Sequence, residues 1–206
     1  MKGKWTQWDA CIEFMKSIKK IEFEAGLSDD EFAAAERKFA FRFPPDLREF
    51  LSTAMPVGGK EFPNWRNLEC EDLAWKFKLP LDGILFDVEK NRFWLKKWGD
   101  RPETLATALE IATTHINAAP KIIPVYGHRM IPELPHQTGN PVLSVHQCDI
   151  IYYGIDLRDY LIHEFAASEA YIWPIPEDVT PIDFWDDIIH ETGWAPRPRP
   201  NFGKPD

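Results

Sequence analysis

The stretch HRMIPELPHQTGNPVLSVHQCDIIYYG, residues 128–154, gathers the side chains best suited to chemistry in this chain. It holds three of the six histidines, His128, His136 and His146, together with Arg129, Asn140, Cys148 and Asp149. Imidazoles beside a thiol are the ligand set of zinc, and a thiol beside an imidazole is the pair of a cysteine nucleophile. The spacing supports neither. His128 and His136 are separated by a proline-rich turn, and no HxxxH pair occurs. His146 and Cys148 are two apart and would share one face of a strand, but a third and a fourth ligand are missing. No G-x-S-x-G elbow, P-loop or G-x-G-x-x-G occurs, and Cys148 has no local activating signature. No metal or cofactor is expected, and no catalytic residue is assigned. The favoured reading is structural. His128, Arg129, Asn140 and Asp149 fall at turns or strand edges, where an Arg beside an Asp braces neighbouring turns through charge-assisted hydrogen bonds. The competing reading places Phe93, Trp94 and Trp98 beside His128 and Arg129 around a small-ligand pocket.

The elements that would position these residues follow from periodicity. Trp8, Cys11, Ile12, Met15 and Ile18 form one helix face over residues 8–21. Ser28 and Glu31 form an S-x-x-E capping box, with Leu27 and Phe32 placed as a hydrophobic staple. Asp29 and Asp30 add negative charge to the first turn of that helix. Pro44-Pro45 opens another helix, with Leu47, Phe50 and Leu51 on its apolar side. Residues 71–79 read as a short helix, and Gly83 then turns the chain into a short strand, ILFDV. Pro102 opens a helix through Ala118. Beyond Pro120 the period changes to four short strands, IIPVYG, HRMIPEL, PVLSVHQ and DIIYYG, separated by Gly, Pro and Asn turns. The proline inside IIPVYG confines that strand to an edge or a bulge. Helices over 156–165, with Asp156 as cap, and over 182–191 complete the pattern. The result is an α+β fold with a mostly antiparallel sheet flanked by several helices, as one domain over residues 1–195 with a proline-rich tail over 196–206.

Composition narrows the function classes. With 44% hydrophobic and 14% aromatic residues the chain can build a core without metal or disulfide. Its net charge of -9 repels phosphate backbones, so nucleic acid is not an expected partner. The same charge suits a basic protein. Three scattered cysteines, no secretory h-region and no apolar run near the roughly 20 residues of a membrane helix fit a cytoplasmic location and no membrane partner. The acidic groups that could meet a partner are first Asp186, Asp187 and Glu191, then Asp29 and Asp30 with Glu69, Glu71 and Asp72. Each also suits an ordinary solvated helix face.

The block GLSDDEFAAAERKFAFRFPPDLREFL resembles the signature of the SUKH superfamily, with Glu36, Phe43, Pro44, Pro45, Phe50 and Leu51 on the matching positions. The later phrases FPNW, DGILFDVEKNRFWLKKWGDRP, IIPVYGHRMIPE, GNPVLSVHQCDIIYYG and DLRDYL resemble one bacterial branch, and together the likeness covers about residues 25–165. MPVGG stands where that branch has a small polar-Gly turn. The resemblance implies a SUKH-like α+β fold without catalytic residues. It also implies a bacterial immunity protein that neutralises a secreted toxin, a nuclease or deaminase, by direct binding. Fungal relatives regulate cell-wall synthesis through protein contacts, which leaves a regulatory scaffold without a toxin as the alternative.

Overall fold

The computed structural model describes residues 7–19, 21–57, 61–165 and 179–193. The expected tail over 196–206 and the glycine pair at 58–59 lie outside them. In chain order the elements are α1 Gln7–Lys19, β1 Glu22–Ala25, α2 Asp29–Phe39, α3 Pro45–Thr53, β2 Ala54–Val57, α4 Glu71–Lys90, α5 Leu105–Ala118, β3 Ile122–Tyr126, β4 Arg129–Pro132, β5 Val142–His146, β6 Asp149–Gly154, α6 Leu157–Phe165 and α7 Trp185–Glu191. Helices and two antiparallel sheets make an α+β fold.

The four-stranded sheet runs β3-β4-β5-β6 in sequence order, every pair antiparallel. Pro124 lies on the edge strand β3, next to a register shift, because an edge tolerates a residue that cannot donate to the ladder. Alternate side chains go to opposite faces. Ile123, Ile131 and Val142 join one core with α1, α2, α3 and α6, whereas Ile122, Met130, Leu143, Val145 and Ile150 join a second with α4, α5 and α7. The sheet therefore separates two apolar cores, which is why its strands read as nearly continuous hydrophobic runs.

The capping box forms as the sequence predicts: Glu31 N–H donates to Ser28 Oγ at 3.3 Å and Ser28 N–H donates to Glu31 Oε2 at 2.7 Å. Glu36 accepts the Phe43 N–H at 3.0 Å and so fixes the extended link into α3. Gly26 is required sterically, since a Cβ there would stand 1.9 Å from the Ser52 carbonyl oxygen. Asp159 N–H donates to Asp156 Oδ1 at 2.7 Å, the expected cap of α6.

Four features differ from expectation. The helix over 71–79 and the strand ILFDV are a single 20-residue helix, α4, which contains both Pro80 and Gly83. Pro80 removes one helical donor, opposite the Lys76 carbonyl, without ending the helix. Gly83 is there for contact: a Cβ would lie 2.9 Å from Gln147 Cα in the β5–β6 turn. α5 begins at Leu105, three residues beyond Pro102, because Thr104 Oγ1 accepts the Thr107 N–H and sets the cap. The segment before α2 and the end of α3 contain β1 and β2, paired from Glu22↔Val57 to Ala25↔Ala54, which short mixed-polarity runs do not announce. α7 starts at Trp185 rather than Ile182.

Candidate functional site

Arg129 is the most connected polar residue of the opening stretch. It lies on β4 directly opposite Ser144 of β5, and its Nη1 donates to Ser144 Oγ at 2.9 Å. The same nitrogen contacts His128 Nε2. The guanidinium covers the Tyr153 ring at 3.9 Å from the centroid and faces Glu164 Oε2 of α6 at 3.7 Å. Its carboxylate is thus Glu164. Asp149, expected beside it, is exposed at the far end of the β5–β6 hairpin opposite His146, because the register sends Ser144 to Ile151 instead. Asn140 belongs to a separate turn, where its amide donates to the carbonyls of Pro132 at 3.1 Å and Pro135 at 2.8 Å.

Around Arg129 stand Tyr160 and His163, both on α6, with His163 stacked on Tyr153. Arg129 Nε, Tyr160 OH, His163 Nδ1 and Glu164 Oε2 are buried polar atoms without a hydrogen-bond partner. Burial holds the His163 imidazole below its ordinary pKa and the Tyr160 phenol well above its own. His128 is lowered too, by desolvation and by the Arg129 charge. The group therefore carries the Arg129–Glu164 pair and otherwise neutral side chains. Its geometry ties α6 to β4 and β6.

The thiol and imidazole at 146–148 do not converge. His146 is exposed at the end of β5, while Cys148 is buried in the turn with its N–H donated to Asp87 Oδ2 at 2.8 Å. Burial and the Asp87 carboxylate push that thiol far above its ordinary pKa. Among the described residues no three His, Cys, Asp or Glu side chains are placed to hold a metal ion.

Trp94 and Trp98 pack edge to face at 5.2 Å. Trp94 Nε1 donates to the Gly99 carbonyl, and Trp98 stacks on His115 of α5. Trp98 borders a cleft with His115 and Phe184, whereas His128 borders a different hollow with Trp75. The pocket imagined from the aromatic strip and His128 with Arg129 is not assembled.

The acidic candidates fall in separate places, most of them beside a basic partner. Asp29 faces Arg48 at 2.7 Å, while Asp30 is exposed beside it. Glu69 meets Lys38 at 2.5 Å, at the opposite end of α2, about 15 Å away by helix rise. Asp72 pairs with Lys76 at 3.7 Å. Asp186 accepts the Tyr152 hydroxyl at 2.6 Å and faces His190 Nε2 at 3.2 Å. Asp187 meets Lys97 at 2.5 Å, and Glu191 meets Lys96 at 3.6 Å. Apart from the buried Lys76, the basic partners of the acidic candidates lie at or near the surface, where such a pair contributes little to stability and leaves little charge for a partner.

A face that the sequence reading missed runs along α4. Trp75 is 53% exposed and Phe86 is 45% exposed. With Leu79 and Asp82 between them they stand at i, i+4, i+7 and i+11, one row about 16 Å long. Glu71 and Glu89 lie alongside Asp82 on the adjoining row. Beneath it, Ile84 and Val88 are buried in the second core, while Leu73, nearer the start of the helix, is buried in the first. The signal was present, since carrying the helical period through Pro80 and Gly83 aligns Trp75 with Phe86. A helix that stops at residue 79 and a turn at Gly83 hide it.

No family model, curated protein or solved structure matches the chain. Among the described residues no helix is long and apolar enough to cross a membrane.

Proposed function

We propose that this chain is a protein-binding module that neutralises a toxin by direct contact, the role that its resemblance to the SUKH superfamily implies. The observation that carries the reading is the pair of exposed aromatics on one side of α4, Trp75 and Phe86, with the half-buried Leu79 and the charged Asp82 between them. Large aromatics on a rigid helix face supply binding energy at little entropic cost, and Trp is the residue most enriched at interface hot spots. Arg129 and Asn140 support the same reading, since each holds neighbouring elements of the fold together. Arg129 spans β4, β5 and α6, and Asn140 closes a turn. The net charge of -9 favours a basic partner and speeds its approach. Co-expression with the product of the gene adjacent to its own tests the proposal: growth is restored and a complex purifies. Persistent toxicity with no complex overturns it.

A further inference from the structure

Trp75 and Leu79 of the α4 row also wall a hollow of about 290 Å³, together with Glu61, Asp72, Lys76 and His128. That volume stands at the lower edge of small-molecule sites, about 300–1,000 Å³, and suits one long side chain better than a cofactor. Lys76 is only 3% exposed; its ammonium is matched by Asp72 at 3.7 Å and stands 5.9 Å from the centroid of the Trp75 ring. His128 is held toward its neutral form by desolvation and Arg129. Glu61 is exposed and has no ion pair among the described residues. Its backbone carbonyl accepts the Gly127 N–H at 2.8 Å, which fixes its place at the rim. An exposed indole beside an uncommitted carboxylate is the chemistry that recognises a guanidinium: the planar cation stacks on the ring and donates two hydrogen bonds to the carboxylate.

We propose that the hollow between Trp75 and Glu61 receives an arginine side chain of the protein partner, with the flanking apolar residues of that partner lying along Leu79 and Phe86. The inference rests on α4 as the binding face and names what enters it. A second copy of this chain is disfavoured as occupant by a net charge of -9 on each molecule. Arginine is favoured over lysine because its plane matches the indole.

The test uses N-acetylargininamide as probe, N-acetyllysinamide as a second cation and N-acetylcitrullinamide as the uncharged isostere. Binding is followed at the Trp75 indole N–H in a nitrogen-correlated spectrum, assigned with Trp75→Phe. The arginine probe shifts that signal saturably, the citrulline probe does not, and Glu61→Gln weakens the arginine probe roughly fivefold. An unmoved indole, equal binding of citrulline, equal or tighter binding of the lysine probe, or an unchanged Glu61→Gln overturns the arginine site. Because Glu61 is at the surface, its variant folds, and the amide spectrum shows this directly. The outcome is separable from the toxin reading: a toxin complex with no arginine binding removes the hollow and keeps the module, and arginine binding with no toxin complex does the reverse.

Discussion

The Asp87 carboxylate on α4 accepts the Cys148 N–H at 2.8 Å, joining groups 61 residues apart in sequence. Its other oxygen accepts the Asn91 amide at 2.5 Å, so one buried side chain both holds the β5–β6 turn and closes the end of α4. Asp87→Ala leaves the buried Cys148 N–H without a partner and is expected to lower stability by about 2–3 kcal/mol. Asp87→Asn keeps one acceptor and loses less. Urea unfolding of the two variants checks this, and an alanine variant as stable as the parent sinks the clasp.

Gly83 and Gln147 meet at the same junction. Helix propensity alone makes Gly83→Ala stabilising by about 1 kcal/mol. The new Cβ would stand 2.9 Å from Gln147 Cα, a backbone atom that cannot swing aside. The expected sign is therefore reversed, with a loss of about 1–2 kcal/mol from overpacking. A higher melting temperature for the alanine variant would show that the turn gives way.

These two contacts also explain what the sequence conveys and what it conceals. Ser28 and Glu31 announce α2 because a cap is local chemistry. Pro124 marks β3 as an edge because a missing donor has one consequence in a ladder. Gly83 misleads, since its reason is a turn that arrives from residue 147. Arg129 attracts attention correctly, but its carboxylate, Glu164, lies on a helix that only the fold brings alongside. Trp75 is hidden differently: tryptophan is far more often core than surface, and its exposure exists only once α4 is continuous.

Arg66 is a second clamp without a sequence signal. Its Nε donates to Glu31 Oε1 and its Nη1 to Glu24 Oε2, both at 2.8 Å, while Nη2 donates to the carbonyls of Ala25 at 2.7 Å and Gly26 at 3.1 Å. It thereby fastens the loop before α4 to β1 and α2. Arg66→Ala is expected to cost about 1–2 kcal/mol, and Arg66→Lys recovers only part because an ammonium cannot reproduce the planar fork. Equal stability of the lysine variant and the parent counts against the fork geometry.

The His163 imidazole supplies a pH dependence. Its folded pKa lies below the ordinary 6.5, chiefly through burial, with Arg129 adding to the shift and Asp159 and Glu164 opposing it. Between the folded pKa and 6.5 the unfolded chain binds more protons, so this contribution is full above 6.5 and declines as pH falls through that window. The urea midpoint of the parent therefore falls more between about pH 7.5 and about pH 5 than that of His163→Gln. Parallel profiles for the two proteins contradict the assignment.

Trp75 and Phe86 separate binding from stability. Both side chains are exposed on α4, so Trp75→Ala and Phe86→Ala are expected to leave the unfolding free energy within about 0.5 kcal/mol. At an interface centre the same truncations cost about 2 kcal/mol or more each, a fall in affinity of roughly thirtyfold. Asp29, Glu69 and Glu191 behave oppositely. Their charges already face Arg48, Lys38 and Lys96, so neutralising them alters the association rate at low salt and leaves the dissociation rate almost unchanged. Surface plasmon resonance at two salt concentrations distinguishes the two sets. A partner released faster by Glu191→Gln than by Trp75→Ala would move the interface from α4 to α7.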